Sequence, residues 1–325
     1  MTILVTGVAG FIGYHVAEAL LERDIPVIGI DNMNSYYNTD LKRSRLARLA
    51  GKKRFAFNQV SVAARNTMLT LTDVFSDISG IIHLAAQPGV RHSLENPYDH
   101  VDANVMGQTV MLECCRRFPK LKHFVYASSS SVYGRFSSVP FRENDIGAAD
   151  QPSSAYGATK RAGELLAEAY TQLYGFRATG LRFFTVYGPW GRPDMAYYGF
   201  TEAIMAGRPI ILNNHGQMAR DFTFVNDIVN GVLASLAWEG DGQSLHQQIN
   251  LGNNRPEELQ DLVKQIEEAV GRKAIIEYTD MQKGEVVKTW ADITKAEQLL
   301  GYKPAVTLAE GIPQFVEWYK SYHGV

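Results

Sequence analysis

The chain has 325 residues, 46% hydrophobic and 20% charged, which is enough for two domains or one large domain with an appendage. Its 32 basic and 34 acidic residues give a net charge of −2, which excludes a global field that recruits nucleic acid or an anionic membrane. The adjacent Cys114 and Cys115 do not suit a disulfide, and the sequence shows no metal-ligand spacing, leader or membrane-spanning run. We expect a cytoplasmic protein without a metal.

The first predicted unit is a strand at residues 2–6, a glycine-rich turn and a helix that runs to residue 21. Gly7, Gly10 and Gly13 suit a dinucleotide turn, in which one glycine makes the bend, one admits the pyrophosphate and one packs the helix on the strand. Asp31 ends the second strand, where a carboxylate accepts from the adenosine ribose hydroxyls and repels a 2′-phosphate. The pattern predicts NAD rather than NADP as the cofactor.

A basic run follows this unit and is interpreted as the solvated face of a helix, without a function. It comprises Lys42, Arg43, Arg45, Arg48, Lys52, Lys53 and Arg54.

Strands and helices then alternate, with strands predicted at residues 26–30, 55–60, 80–84, 123–127 and 178–183. This alternation predicts an α/β fold with a doubly wound parallel (Rossmann) sheet and a smaller C-terminal α/β substrate-binding domain. The predicted Rossmann domain comprises residues 1–182, together with a segment of about residues 220–250 that returns to it. The predicted smaller domain comprises residues 183–325. Four serines, Ser128 to Ser131, are predicted to form a loop at a strand's carboxyl end, and a surface loop is predicted between Tyr133 and Pro152.

Tyr156 and Lys160 are four residues apart in a predicted helix, so they share one of its faces. The ammonium is expected to lower the pKa of the phenol and so to produce a base that can take a proton from an alcohol. A tyrosine and a lysine at this spacing also occur by chance on surface helices. The hydride acceptor predicted at the glycine turn favours the catalytic interpretation.

These motifs together resemble the extended short-chain dehydrogenase/reductase family. The stretches 31–37, 91–97 and 182–195 are similar to its UDP-glucuronate 4-epimerase branch. The resemblance implies Tyr156, Lys160 and Ser129 as catalytic residues. It implies a cofactor site of Gly7, Gly10, Phe11, Ile12, Gly13, Asp31, Asn32, Leu84, Ala85, Ala86, Gln87, Asn104, Tyr156 and Lys160. The implied substrate-binding residues are Ser130, Thr185, Arg192, Arg220, Arg91 and Gln282.

The reaction implied by the resemblance is C4 epimerisation of a UDP-sugar. Tyr156 takes the C4 hydroxyl proton while hydride passes to NAD, and hydride returns to the other face of the 4-keto sugar. Related dehydratases and decarboxylases carry acids at the positions of Ser130 and Ser131, so the serines favour simple epimerisation. Two alternatives stay open: a UDP-glucose/UDP-galactose 4-epimerase, and a non-catalytic NAD-binding sensor.

A uronate substrate must be held so that its 4-keto form does not lose carbon dioxide. Ser130 and Thr185 are predicted to orient the sugar carboxylate by donating hydroxyl hydrogen bonds. Thr185 could instead only fill the turn after its strand, and Arg91 could touch substrate or brace its loop. Arg192 and Arg220 are implied at the UDP diphosphate and ribose. The helices near 97–117 and 155–174 are implied to pair in a homodimer.

Overall fold

The computed structural model describes residues 1–134, 138–145, 151–242, 244–282 and 286–325. Part of the predicted loop between Tyr133 and Pro152 lies outside these ranges. Seven parallel strands form the main sheet: β1 (Thr2–Thr6), β2 (Val27–Asp31), β3 (Phe55–Gln59), β4 (Ile78–His83), β5 (His123–Ser129), β6 (Arg177–Phe183) and β10 (His246–Leu251). Their order across the sheet is β10-β6-β5-β4-β1-β2-β3.

Helices cover both faces of this sheet because its strands are apolar on both sides. Ile3 and Val5 of β1 pack in one core cluster, whereas Leu4 packs in another on the opposite face. The helices are α1 (Phe11–Glu22), α2 (Thr39–Ala50), α3 (Arg65–Val74), α4 (His92–Glu95), α5 (Pro97–His100), α6 (Gly107–Cys115), α7 (Ala155–Tyr174) and α9 (Val225–Ala237). A π-helical turn, Val101–Met106, joins α5 to α6. The structure confirms the predicted doubly wound sheet.

The remaining strands form two smaller sheets. One is centred on β9 (Ala219–Phe224), which pairs with β7 (Thr185–Tyr187), β11 (Pro256–Glu258) and β13 (Lys288–Thr289). The other pairs β8 (Pro209–Leu212) with β12 (Ile275–Tyr278). They pack with α8 (Ala196–Ala206), α10 (Leu259–Val270) and α12 (Leu308–His323), whereas α11 (Thr294–Leu300) packs against β10 and α9 of the main-sheet part. An aromatic core that includes Tyr187, Phe224 and Phe315 lies between these elements.

Two sequence predictions need correction. Ser128 and Ser129 belong to β5, because both residues pair in register with β6, and only Ser130 begins the turn beyond the strand. The basic run is only in part a solvated face, because Lys42 and Arg45 of α2 are buried, whereas Arg43, Arg48, Lys53 and Arg54 are exposed. Cys114 and Cys115 are buried free thiols, as expected from their adjacent positions.

Candidate active site

A cavity of about 690 Å³ opens at the carboxyl ends of the main-sheet strands. This is the edge where ligands bind in doubly wound sheets. It brings together most of the residues that the sequence predicts for the cofactor and the chemistry. Its walls include Gly7, Gly10, Phe11, Ile12, Gly13, Asp31, Asn32, Leu84, Ala85, Ala86, Gln87, Ser129, Tyr156, Lys160 and Arg192.

The glycine turn has no room for side chains. Gly7 has a φ of +70°, and a methyl group on it would approach the backbone nitrogen of Ala85 to 2.7 Å. A methyl group on Gly13 would collide with the carbonyl oxygen of Gly7. Helix α1 begins directly beyond Gly10, so its free N–H groups and the positive end of its dipole face the cavity. The turn therefore forms a cradle that suits a pyrophosphate.

Asp31 lies beside this cradle and is held in place by the backbone. One of its carboxylate oxygens accepts from the Ala9 N–H at 3.1 Å and the other accepts from the Met33 N–H at 2.8 Å. The Lys42 amine lies 3.8 Å from the same carboxylate and also donates to the Asn34 carbonyl at 3.0 Å. Lys42 lines the cavity. The sequence analysis did not predict it as a site residue, because seven basic residues close together in sequence do not show which of them face the protein interior.

Asn104 supports the cavity rather than lining it. Its amide accepts from the Gln87 N–H at 2.8 Å and donates to the Gln87 carbonyl at 3.0 Å and to the Thr159 hydroxyl at 3.0 Å. These bonds join the segment after β4 to α7. Asn104 therefore holds Gln87, a wall residue, in place, and its own predicted contact with the cofactor stays a prediction.

The phenol of Tyr156 and the hydroxyl of Ser129, the serine predicted to assist it, both line the cavity. Ser129 is buried at the end of β5, and its hydroxyl accepts from the Ser131 N–H at 3.2 Å. Burial raises the pKa of Tyr156, whereas the Ser129 hydrogen bond and the Arg192 charge act to lower it. The predicted lowering by Lys160 is therefore wrong for the chain by itself, because burial of the phenol has the larger effect.

Lys160 is buried one helical turn from Tyr156, and its ammonium donates to the Ala127 carbonyl at 2.9 Å. Burial lowers its pKa to about 8, and the negative charge of Glu164 opposes that change. His83 lies nearby on β4, and burial lowers its pKa to about 3, so it is neutral near pH 7. Lys160 is thus charged at neutral pH and loses its proton in mildly alkaline solution.

Glu164, one turn beyond Lys160, anchors the end of β5. Its carboxylate accepts from Arg182 at 2.8 and 2.9 Å, from Arg161 at 3.1 Å and from the Ser128 hydroxyl at 2.6 Å. The sequence reasoning missed this fully buried acid, although a glutamate four residues after the lysine places it on the same helix face.

Arg192 lies at the mouth of the cavity and is paired with Asp194. Its guanidinium donates to the two carboxylate oxygens of Asp194 at 3.0 and 2.6 Å, and the Tyr36 hydroxyl donates to one of them at 3.1 Å. This pair holds the pKa of Asp194 below its ordinary value even though burial opposes it. Asp194 and Tyr36 were missed as parts of the site.

The other predicted substrate residues are not cavity walls. Thr185 is partly exposed at the start of β7, between the wall residues Phe184 and Val186, and Ser130 follows Ser129 in the turn after β5. The Arg220 guanidinium donates to the Ala219 carbonyl at 2.9 Å and to the Val287 carbonyl at 3.1 Å.

Ala219 and Val287 also line a second cavity, of about 280 Å³, so Arg220 lies beside it. Gln282 donates to the Asp280 carbonyl at 3.2 Å, and Arg91 is exposed next to α4.

Within the described ranges, no three His, Cys, Asp or Glu side chains are grouped so that they could hold a metal ion. In the same part of the chain, no helix combines the length and apolar character needed to cross a membrane.

Comparison with known proteins agrees with this geometry. The model of the NAD dependent epimerase/dehydratase family matches residues 3–252. UDP-glucuronate 4-epimerase 4 of Arabidopsis thaliana is 44% identical over 338 residues, covering 99% of this chain and 76% of that protein. A probable UDP-glucuronate 4-epimerase of Rhizobium meliloti (strain 1021) is 42% identical over 334 residues, covering 98% of this chain and 97% of that protein.

Among solved structures, the UDP-glucuronic acid 4-epimerase of Bacillus cereus in complex with UDP-glucuronic acid and NAD has a TM-score of 0.90. It is 34% identical, and the match covers 99% of this chain and 100% of that one.

Proposed function

Since this chain belongs to the NAD dependent epimerase/dehydratase family, we propose that it interconverts UDP-glucuronate and UDP-galacturonate by inverting C4 of the sugar. The observation that carries the proposal is that Ser129, Tyr156 and Lys160 line the same cavity as the glycine turn. The relatives named UDP-glucuronate 4-epimerase support a uronate as the sugar.

NAD fits the residues present. A methyl group would close the cradle at Gly7 and Gly13, and Asp31 presents a fixed carboxylate next to it. We assign the pyrophosphate to this turn and the adenosine ribose to Asp31. Bound NAD supplies an acceptor and donor for the hydride of C4.

Tyr156 acts as the base that takes the proton of the C4 hydroxyl and later returns it. Ser129 donates to the same oxygen and so orients the sugar against the phenol. Because burial raises the pKa of Tyr156 in the chain by itself, we propose that the charge of Lys160, present below about pH 8, acts together with the positive charge of bound NAD to stabilise the phenolate. Because the proton returns to the sugar at the same site, the cycle needs no net proton transfer to solvent.

The turn after β5 determines what happens to the oxidised sugar. Ser130 and Ser131 stand where an acid would supply a further proton transfer for elimination or decarboxylation, and a hydroxyl at neutral pH does not supply it. We propose that Ser130 and Thr185 donate hydrogen bonds to the sugar carboxylate. Their positions support this, since Ser130 follows Ser129 and Thr185 lies between two wall residues.

The diphosphate is assigned to Arg192, whose planar guanidinium suits bidentate contact with phosphate oxygens. Substrate phosphates compete with Asp194 for this side chain, since the two acceptors have the same charge sign and similar geometry. Arg220, which lies beside the second cavity, and Gln282 are assigned to the rest of the UDP moiety.

Product analysis tests the proposal. UDP-glucuronate incubated with the purified protein, without added NAD, is expected to give a mixture with UDP-galacturonate. Turnover of UDP-glucose at an equal rate would contradict the uronate assignment and favour the UDP-glucose/UDP-galactose alternative. Bound NAD with no turnover of any UDP-sugar, unchanged in a Tyr156→Phe variant, would favour the non-catalytic sensor.

We also propose a homodimer formed by the surface of α5, the π-helical turn and α7. These helices pack side by side and expose apolar side chains: Tyr98 is 85% exposed, Leu173 is 71% exposed and Leu165 is 55% exposed. Covering such a surface with a second copy removes apolar area from water. Light scattering at micromolar concentration should give the dimer mass, and a monomer mass would contradict the assignment.

A further inference from the structure

Arg45 of α2 is a fully buried arginine whose charge is not used by the proposed reaction. Its guanidinium donates to the Ala9 carbonyl at 2.9 Å, in the glycine turn, and to the Tyr37 hydroxyl at 2.8 Å. It also donates to the carbonyls of Trp190 and Gly191, the latter at 3.1 Å. Within the described ranges, Arg45 forms no ion pair. Among the described residues, its acceptors are backbone carbonyls and a phenol, and its buried Nε has no hydrogen-bond partner there.

His15 of α1 makes a second contact with the same loop. Its Nε2 lies 2.9 Å from the Pro189 carbonyl. Burial lowers the pKa of His15 to about 4, so the ring is neutral near pH 7, and the nitrogen that meets a carbonyl must carry the proton. His15 and Arg45 thus hold three consecutive carbonyls, those of Pro189, Trp190 and Gly191.

The loop 189–191 contains a backbone conformation that its central residue does not favour. Trp190 has a φ of +62°, which is uncommon for a bulky residue. The Trp190 ring packs against Tyr14 of α1 and Trp318 of α12. Such a backbone persists only where its surroundings impose it. Arg192 directly follows Gly191, so the conformation of the loop sets the direction in which the Arg192 backbone leaves it.

We propose that His15 and Arg45 are positioning residues that hold the loop 189–191 against the glycine turn and thereby aim Arg192 at the diphosphate of the bound nucleotide. This rests on the proposed function, since it takes UDP as the nucleotide. Neither residue lines the cavity, so both act through the loop. Their loss should weaken nucleotide binding while the chemistry of Tyr156 continues.

Arg45→Lys keeps the positive charge but offers a single ammonium in place of the planar fork, so it cannot reach all four oxygens. We expect this variant to bind UDP about tenfold more weakly by calorimetry and to raise KM for UDP-glucuronate by a similar factor. Its kcat and its NAD content should stay near the wild-type values. Arg43→Lys, at an exposed position of the same helix, is the matched control.

His15→Phe keeps a ring of similar shape and removes the donor to the Pro189 carbonyl. This variant tests the proposed positioning of the loop if Arg45→Lys fails to fold. We expect a smaller rise in the Kd for UDP, about threefold, again with kcat retained. Unchanged UDP binding in a folded variant, or loss of UDP and NAD by equal factors, would overturn the proposal. So would a wild-type protein that binds no UDP. If wild-type protein binds UDP yet does not epimerise UDP-glucuronate, only the proposed function fails.

Discussion

The residues proposed for catalysis, on the main-sheet side of the cavity, and those proposed for recognition, on the side of the small sheets, differ in how they are held. Ser129, Tyr156 and Lys160 line the cavity, and Lys160 is anchored on β5 by its hydrogen bond to Ala127. Arg192, in contrast, is paired with Asp194, and Arg220 donates to backbone carbonyls. Under the proposed function, the catalytic residues are therefore preorganised, while substrate binding exchanges the internal contacts of the two arginines for contacts with the substrate.

This difference matches what each side must do. A proton transfer depends on precise placement, so rigid strands and a long helix suit it. A nucleotide-sugar must enter and leave at each turnover, so its ligands are better held in alternative contacts until it arrives. We expect substitutions on the main-sheet side to lower kcat or cofactor content, and those on the small-sheet side to change KM or product identity.

The largest effect is expected for Tyr156→Phe. Loss of the phenol removes the base, so kcat should fall about 10³-fold while bound NAD stays at the wild-type level. Steady-state assays and the absorbance of released cofactor measure the two quantities. Tyr170→Phe on the same helix, whose hydroxyl contacts Glu113, should be as active as the wild type. Loss of bound NAD together with activity would mean that Tyr156 is needed for cofactor binding rather than as the base.

A smaller effect is expected for Gly13→Ala on the same side. The added methyl collides with the Gly7 carbonyl, so the turn must shift at a cost of about 2 kcal/mol. NAD content, measured after gel filtration, should fall and activity should fall with it. Gly199→Ala is the control, because a methyl there has no atom within 4 Å. Full NAD content in Gly13→Ala would mean that the cradle is not the pyrophosphate site.

Thr185→Val tests the small-sheet side. Without its hydroxyl the sugar carboxylate is held less firmly, so we expect epimerisation to slow by about tenfold and carbon dioxide to be released. Trapping of labelled carbon dioxide from the C6 position measures the loss. Full turnover without carbon dioxide would show that Thr185 only fills the turn. Thr70→Val, on the exposed surface of α3, serves as a control.

Glu164→Gln should have the smallest effect on activity at neutral pH. The Glu164 charge raises the pKa of Lys160, so its removal lowers that pKa further below the present value of about 8. Lys160 then loses its proton at lower pH, and the alkaline limb of kcat should move to lower pH. The variant should also melt at a lower temperature, because Arg182 loses its buried anion. Glu168→Gln, one turn further, should leave the limb in place.

The sequence predicted the main-sheet side well because its residues lie in local motifs. Glycine spacing, the acid at the end of β2 and the Tyr156–Lys160 spacing each span one turn or one strand-helix unit. Arg45 and Tyr36 were missed because their partners are 145 and 158 residues away, and helical periodicity does not show which charged face a distant loop covers. For the same reason, the sequence did not show that Lys42 is buried.

Strand β10 shows why the two parts of this protein cannot be separated by truncation. The chain leaves the main sheet after β6, builds β7 to β9, and returns with β10 to complete the sheet beside β6. A fragment ending at Phe183 would lose that last strand and expose the edge of β6 as a template for aggregation. Any expressed fragment should therefore extend at least through β10, and the main sheet can be completed only after synthesis has passed residue 251.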